Sequence, residues 1–134
     1  MNFDQLVEEI FDDYQNKHRD ILADILITSA QQADKIVAKY NTSNLSPEQR
    51  EQLKKMIVQR EVEAFSAFVQ QNKDILSANI SDNEKFCQLF AKYNKPHLTE
   101  EDRVFLKKKL RRHVYDHTVC NILQDLLDNL KNND

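Results

Sequence analysis

Residues 38–55 read AKYNTSNLSPEQREQLKK and residues 91–108 read AKYNKPHLTEEDRVFLKK, a constant offset of 53 with ten of the eighteen positions identical. The similarity runs more faintly upstream, where Ile36 and Val37 match Leu89 and Phe90, and Thr28 matches Ser81. A recurrence at one spacing reads as two copies of one supersecondary unit. Its caps say what that unit is. Ser81-Asp-Asn-Glu84 is a capping box ahead of Phe86, Leu89, Phe90 and Tyr93, and Thr28 or Ser29 plays the same part ahead of Ile36, Val37 and Tyr40. Asn41 and Asn94 then close the two short helices, Asn being the residue that tolerates a left-handed C-cap where no Gly is available. A second helix follows each. Ser46-Pro-Glu-Gln49 puts proline at the first helical position, Thr99-Glu-Glu-Asp102 puts acids in the first turn, and Leu45 and Leu98 stand where a hydrophobic staple needs them.

Apolar spacing carries this pattern over the whole chain. Leu53, Ile57, Ala64 and Phe68 form one helical stripe with Val58, Val62, Phe65 and Val69 beside it, a face wide enough to touch more than one neighbour. Phe3, Val7, Ile10, Tyr14, Ile21 and Ile25 keep the same period near the N-terminus and predict one long helix, with room for a kink over Asn16 to Asp20. The expectation is a single all-α domain, an elongated bundle of about five helices: an N-terminal helix over 3–26, unit one over 29–72 and unit two over 82–131. The last helix changes face along its length, from Leu106, Leu110 and Val114 to Val119, Ile122, Leu123, Leu126 and Leu130. Over residues 100–130 it would be roughly 45 Å long, more than a compact domain of this size is wide, so its C-terminal half either folds back or packs against another chain.

Composition narrows the chemistry. The 134 residues contain no glycine and two prolines, Pro47 and Pro96. Phosphate-cradling loops, dinucleotide fingerprints, EF-hand loops and nucleophile elbows all need Gly at defined places, so none can be written here. The acidic N-terminus (Asp4, Glu8, Glu9, Asp12, Asp13) is unlike a secretory signal, and no apolar run reaches membrane-spanning length. The expectation is a cytoplasmic protein with no membrane partner, in which Cys87 and Cys120 are thiols. A net charge of −3 hides asymmetry: residues 1–37 hold eight acids against three bases, and residues 92–113 hold eight bases against three acids. Opposite blocks can pair within one chain or between two.

Three constellations invite a function. His113, Asp116, His117 and Cys120 lie along one side of a helix and offer a transition metal two imidazoles, a carboxylate and a thiol. Their bland reading continues the Leu106/Leu110 stripe into the core. Lys107, Lys108, Lys109, Arg111 and Arg112 form the densest basic run and could meet phosphates, though no aromatic platform accompanies them. Tyr40 and Tyr93 recur with Lys39 and Lys92 and either bind something repeatedly or pack under their own loops. His18 and His97 stand alone, with no nucleophile at an expected spacing.

Without a catalytic or cofactor motif, the sequence favours a non-enzymatic protein-binding regulator, adaptor or inhibitor, and a homodimer, because wide apolar faces and opposite charge blocks favour association. Lys107, Lys108, Arg111, Arg112, Tyr115, Val119, Ile122, Leu126 and Leu130 are the expected partner surface. A nucleic-acid-associated regulator using the basic helix 107–112 is the alternative, and a metal-binding protein at His113 and His117, with Cys120, the second; no cofactor is implied.

Overall fold

The computed structural model describes residues 2–24, 26–40 and 44–132, and within them the chain is all-α with no strand. Its helices are α1 (Phe3–Asp12), α2 (Tyr14–Lys17), α3 (Arg19–Leu22), α4 (Ser29–Lys39), α5 (Pro47–Gln71), α6 (Lys73–Leu76), α7 (Asp82–Tyr93) and α8 (Glu100–Asn132). They group into two compact units, residues 1–66 and 67–134, with the boundary inside α5.

The caps form as the sequence implies. Thr28 and Gln31 exchange reciprocal side-chain bonds at 3.2 and 2.8 Å, as do Ser46 and Gln49 at 3.1 and 3.0 Å and Thr99 and Asp102 at 3.1 Å each. Ser81 Oγ accepts the Glu84 amide at 3.1 Å. Each bond satisfies an N–H that the first helical turn leaves without a backbone acceptor, worth about 1 kcal/mol per cap.

Two local expectations are corrected. The N-terminal stretch is three helices, interrupted at Asp13 and His18, where φ/ψ of −125°/29° and −121°/22° leave the helical region. Apolar spacing alone could not reveal this, because the period survives across a one-residue break. Asn94 caps α7 in an extended conformation, φ −73° and ψ 119°, and no described residue has positive φ. Its side chain does the work instead: Asn94 Oδ1 accepts a bond from Arg103 Nε at 3.0 Å. Asn41 and Ile25 lie outside the described residues.

In the first unit Ile10, Leu22, Ile36, Leu53 and Ile57 are fully buried. The stripe on α5 does not run on through Ala64, which is exposed; the buried position after Ile57 is Glu61. In the second unit Leu76, Leu89, Leu110 and Val114 form the core, with Phe68, Val69, Phe86, Phe90 and Leu106 packed against it. Removing each such leucine from water contributes about 1.5–3 kcal/mol. One helix, α5, thus presents Leu53 and Ile57 in the first unit and Phe68 and Val69 in the second.

The last helix is unbroken for 33 residues, about 50 Å. It does not fold back. Leu110 and Val114 sit in the core, and Thr118 Oγ1 donates to the Asp82 carboxylate at the start of α7, 3.1 and 3.2 Å from its two oxygens. From Cys120 to Asn132 every residue is exposed.

Candidate functional site

The two tyrosines at the ends of the short helices do not pack under their own loops. Each reaches the residue at which the preceding helix breaks. In the first unit His18 Nε2 and Tyr40 Oη are 3.0 Å apart, and Lys39 Nζ donates to the Lys17 carbonyl and to Asp20 Oδ1, both at 3.5 Å. In the second, Asn72 Nδ2 donates to Tyr93 Oη at 2.7 Å and to the Phe68 carbonyl at 2.9 Å. Lys92 Nζ donates to Asn72 Oδ1 at 2.7 Å and to the Gln71 carbonyl at 3.3 Å. The backbone at the two breaks is nearly superposable, −121°/22° at His18 and −124°/26° at Asn72, and both short helices end at φ/ψ of −93°/−3°. A break exposes carbonyls that have no partner further along the helix; Lys39 and Lys92 donate to the carbonyls of Lys17 and Gln71, while Tyr40 and Tyr93 bond the side chain of the break residue itself. Lys39, Tyr40, Lys92 and Tyr93 are therefore structural clamps.

The sequence carries a signal for these breaks that the 53-residue offset does not bring into line. Arg19-Asp-Ile-Leu22 and Lys73-Asp-Ile-Leu76 match at an offset of 54, one more than the 53 of the downstream match. The linker after Leu22 is one residue longer than that after Leu76, which hides the alignment.

Both units bury polar groups, the second at Asn72, Arg112 and His113. His18, Gln32 and Glu61 are all buried, and Gln32 Nε2 donates to the Ile21 carbonyl at 3.1 Å at the end of α3. Burial, together with the charge of Glu61 close by, pushes the Tyr14 phenol far above its ordinary range. Burial and then the Lys39 charge push His18 below the usual imidazole value.

The histidines of α8 are not gathered into a site. His113 is buried with its ring stacked on Phe68, centroids 4.4 Å apart, and desolvation followed by Lys109 and Arg112 lowers it to about 3. His117 is half-buried and also lowered, by burial and then Lys85, while Cys120 is exposed. Among the described residues no three His, Cys, Asp or Glu side chains converge where a metal could be held.

Part of the basic run makes contacts within the fold. Arg111 lies over the Phe86 ring at 4.6 Å and Lys107 over Phe90 at 5.2 Å, both on α7. Arg112 is buried and pairs with Asp116 at 3.5 Å. Lys107, Lys108 and Arg111 remain exposed to solvent. The expected partner residues therefore separate: Arg112 is interior, Val119 half-buried, and Tyr115, Ile122, Leu126 and Leu130 are more than half exposed. Leu123 and Leu127 join them at 55% and 52% exposure.

A second surface lies between α4 and α5. An open groove of about 630 Å³ is lined by Ala30, Ala33, Val58 and Val62 and by six polar or charged side chains, Asp34, Glu51, Lys54, Lys55, Gln59 and Glu63. Lys54 bridges Asp34 at 2.7 Å and Glu51 at 3.2 Å.

No protein-family model matches the chain, and no curated protein or solved structure matches it. No helix among the described residues is long and apolar enough to cross a membrane.

Proposed function

We propose that this chain is a non-enzymatic protein-binding protein of the cytoplasm, an adaptor, inhibitor or regulator that pairs with a second copy of itself, its scaffold made of two copies of one helical unit. The observation that carries the reading is the run from Cys120 to Asn132. It is helical throughout, exposed throughout, and holds Ile122, Leu123, Leu126, Leu127 and Leu130 at 52–65% exposure. Isolated exposed leucines are ordinary, but five on one helical face form the kind of contiguous patch that marks an association surface. An isolated helix end of this length is marginal in water without packing, which adds a thermodynamic reason for a cover.

The nucleic-acid reading loses support because Lys107 and Arg111 lie over aromatic rings and Arg112 faces Asp116. Light scattering tests the association. The native chain should have dimer mass, and Leu126→Lys, a change at an exposed position, should give monomer mass with unaltered helical circular dichroism. A native chain that stays monomeric at its highest soluble concentration contradicts the proposal.

A further inference from the structure

The face that α8 buries and the face that it leaves bare point in nearly opposite directions. At about 100° per residue, the buried side of Leu110, His113 and Val114 continues past Thr118 as Asn121, Gln124, Asp125 and Asp128. Ile122, Leu123, Leu126, Leu127 and Leu130 lie on the other side, so the apolar ridge begins where polar side chains take over the face that was turned to the core. The second unit cannot cover this ridge without breaking α8, which is unbroken to Asn132.

The pattern of the ridge is complementary to itself. With Leu123 and Leu130 at heptad position a, Val119 and Leu126 fall at d, Cys120 and Leu127 at e, and Ile122 and Asn129 at g, while Asp125, Asp128 and Lys131 fall at c, f and b. The seam residues 119, 123, 126 and 130 have the same spacing read in either direction. A two-fold axis between Gln124 and Asp125 therefore sets Leu123 against the partner's Leu126 and Val119 against the partner's Leu130, in four apolar layers. Leu127 closes one flank over the partner's Cys120, and Ile122 closes the other over the partner's Asn129. Charged e and g positions select a partner of opposite pattern; flanks without charge fit flanks that also have none, and a second copy supplies them.

Area and charge favour the same occupant and give its direction. Five side chains at 52–65% exposure offer roughly 500 Å² per copy, so two ridges together bury about 1,000 Å², close to the least that a specific interface buries. An interface of that size fits a dimer that dissociates at micromolar concentration. Residues 107–112 hold five bases and no acid, whereas residues 121–132 hold two acids and one base. Parallel mates would lay one basic run beside the other and each aspartate beside its copy. Antiparallel mates bring each basic run towards the acidic end of the other helix, where the last carbonyls add partial negative charge. We propose that residues 119–130 of α8 pair antiparallel with the same residues of a second copy. This rests on the homodimer reading above and names the segment and the direction of its contact.

Spin labels on Gln124→Cys and on Lys131→Cys, each in a chain that also carries Cys87→Ser and Cys120→Ser, test it by electron paramagnetic resonance. Both label sites are exposed b positions off the seam. Separations are read at a concentration at which sedimentation equilibrium finds the labelled chain dimeric. Antiparallel pairing about the axis between residues 124 and 125 puts the two Gln124 sites side by side and the two Lys131 sites roughly 20 Å apart along the helix axis. The expected result is thus a shorter separation at 124 than at 131, by about 10 Å. Equal separations at the two sites mean parallel pairing; they overturn the proposal and leave the dimer intact. Labels too far apart to interact at either site mean a dimer through another face, which overturns the proposal in the same way. A native chain that is monomeric in sedimentation overturns the homodimer reading as well.

Discussion

The first and second units solve the same packing problem with different interiors. Each has a helix broken by one residue, a Lys-Tyr pair that clamps the break, and a long helix that follows in the chain. The clamp on the second unit is the tighter one. Asn72 donates to Tyr93 and Phe68 and accepts from Lys92, whereas His18 makes one bond, to Tyr40, and its Nδ1 is buried with no partner. Aromatic Phe68 with Val114 occupies the places at which the first unit has Tyr14 with Glu61, so a hydrocarbon pair replaces a buried hydroxyl and acid. Burying polar groups costs unless each finds a partner, and each unit has its own set, His18, Gln32 and Glu61 in the first and Asn72, Arg112 and His113 in the second. The lesson is that shared caps and clamps set the scaffold, while the side chains between them decide how firm each unit is and what surface it offers.

The comparison can be broken most directly at its clamp. Asn72→Ala removes three side-chain bonds, to the Tyr93 hydroxyl, the Lys92 ammonium and the Phe68 carbonyl, and should cost about 3 kcal/mol in chemical denaturation. Asn72→His, the residue of the first unit, should recover part of that loss, since an imidazole can still meet Tyr93. If Asn72→Ala were neutral, the break would be held by packing alone and the clamp would be incidental.

A somewhat smaller effect separates the units by pH. His113 is held near 3 when folded against 6.5 when unfolded, so below pH 6.5 the unfolded chain binds the extra proton and stability falls as pH drops. By pH 5 this histidine alone removes about 2 kcal/mol relative to pH 7. His113→Phe keeps a ring to stack on Phe68 and should flatten that part of the curve, leaving the contributions of His18 and His117, which run in the same direction. An unchanged pH profile in His113→Phe would mean that the ring is accessible to water.

The fold class was legible because local signals and the overall pattern agree: four of the helix starts announce themselves through Thr28, Ser46, Ser81 and Thr99. The breaks at Asp13, His18 and Asn72 were not, since a single non-helical residue leaves apolar spacing undisturbed and the tetrads that mark two of them are out of register by one. The basic run was legible as charge but not as structure, because its placement over Phe86 and Phe90 depends on how α7 meets α8. The leucine stripe after Val119 was visible, and so was its rotation from the Leu106 face. That it belongs to one straight helix with no cover follows only from the three-dimensional arrangement.

Amide hydrogen exchange along α8 tests the central claim most directly. Residues 104–114 are anchored in the second unit's core and should be protected at every concentration. Residues 119–132 should be protected at high protein concentration and should exchange progressively faster on dilution, as the covering copy departs. Exchange of 119–132 at free-peptide rates at every concentration would contradict the account.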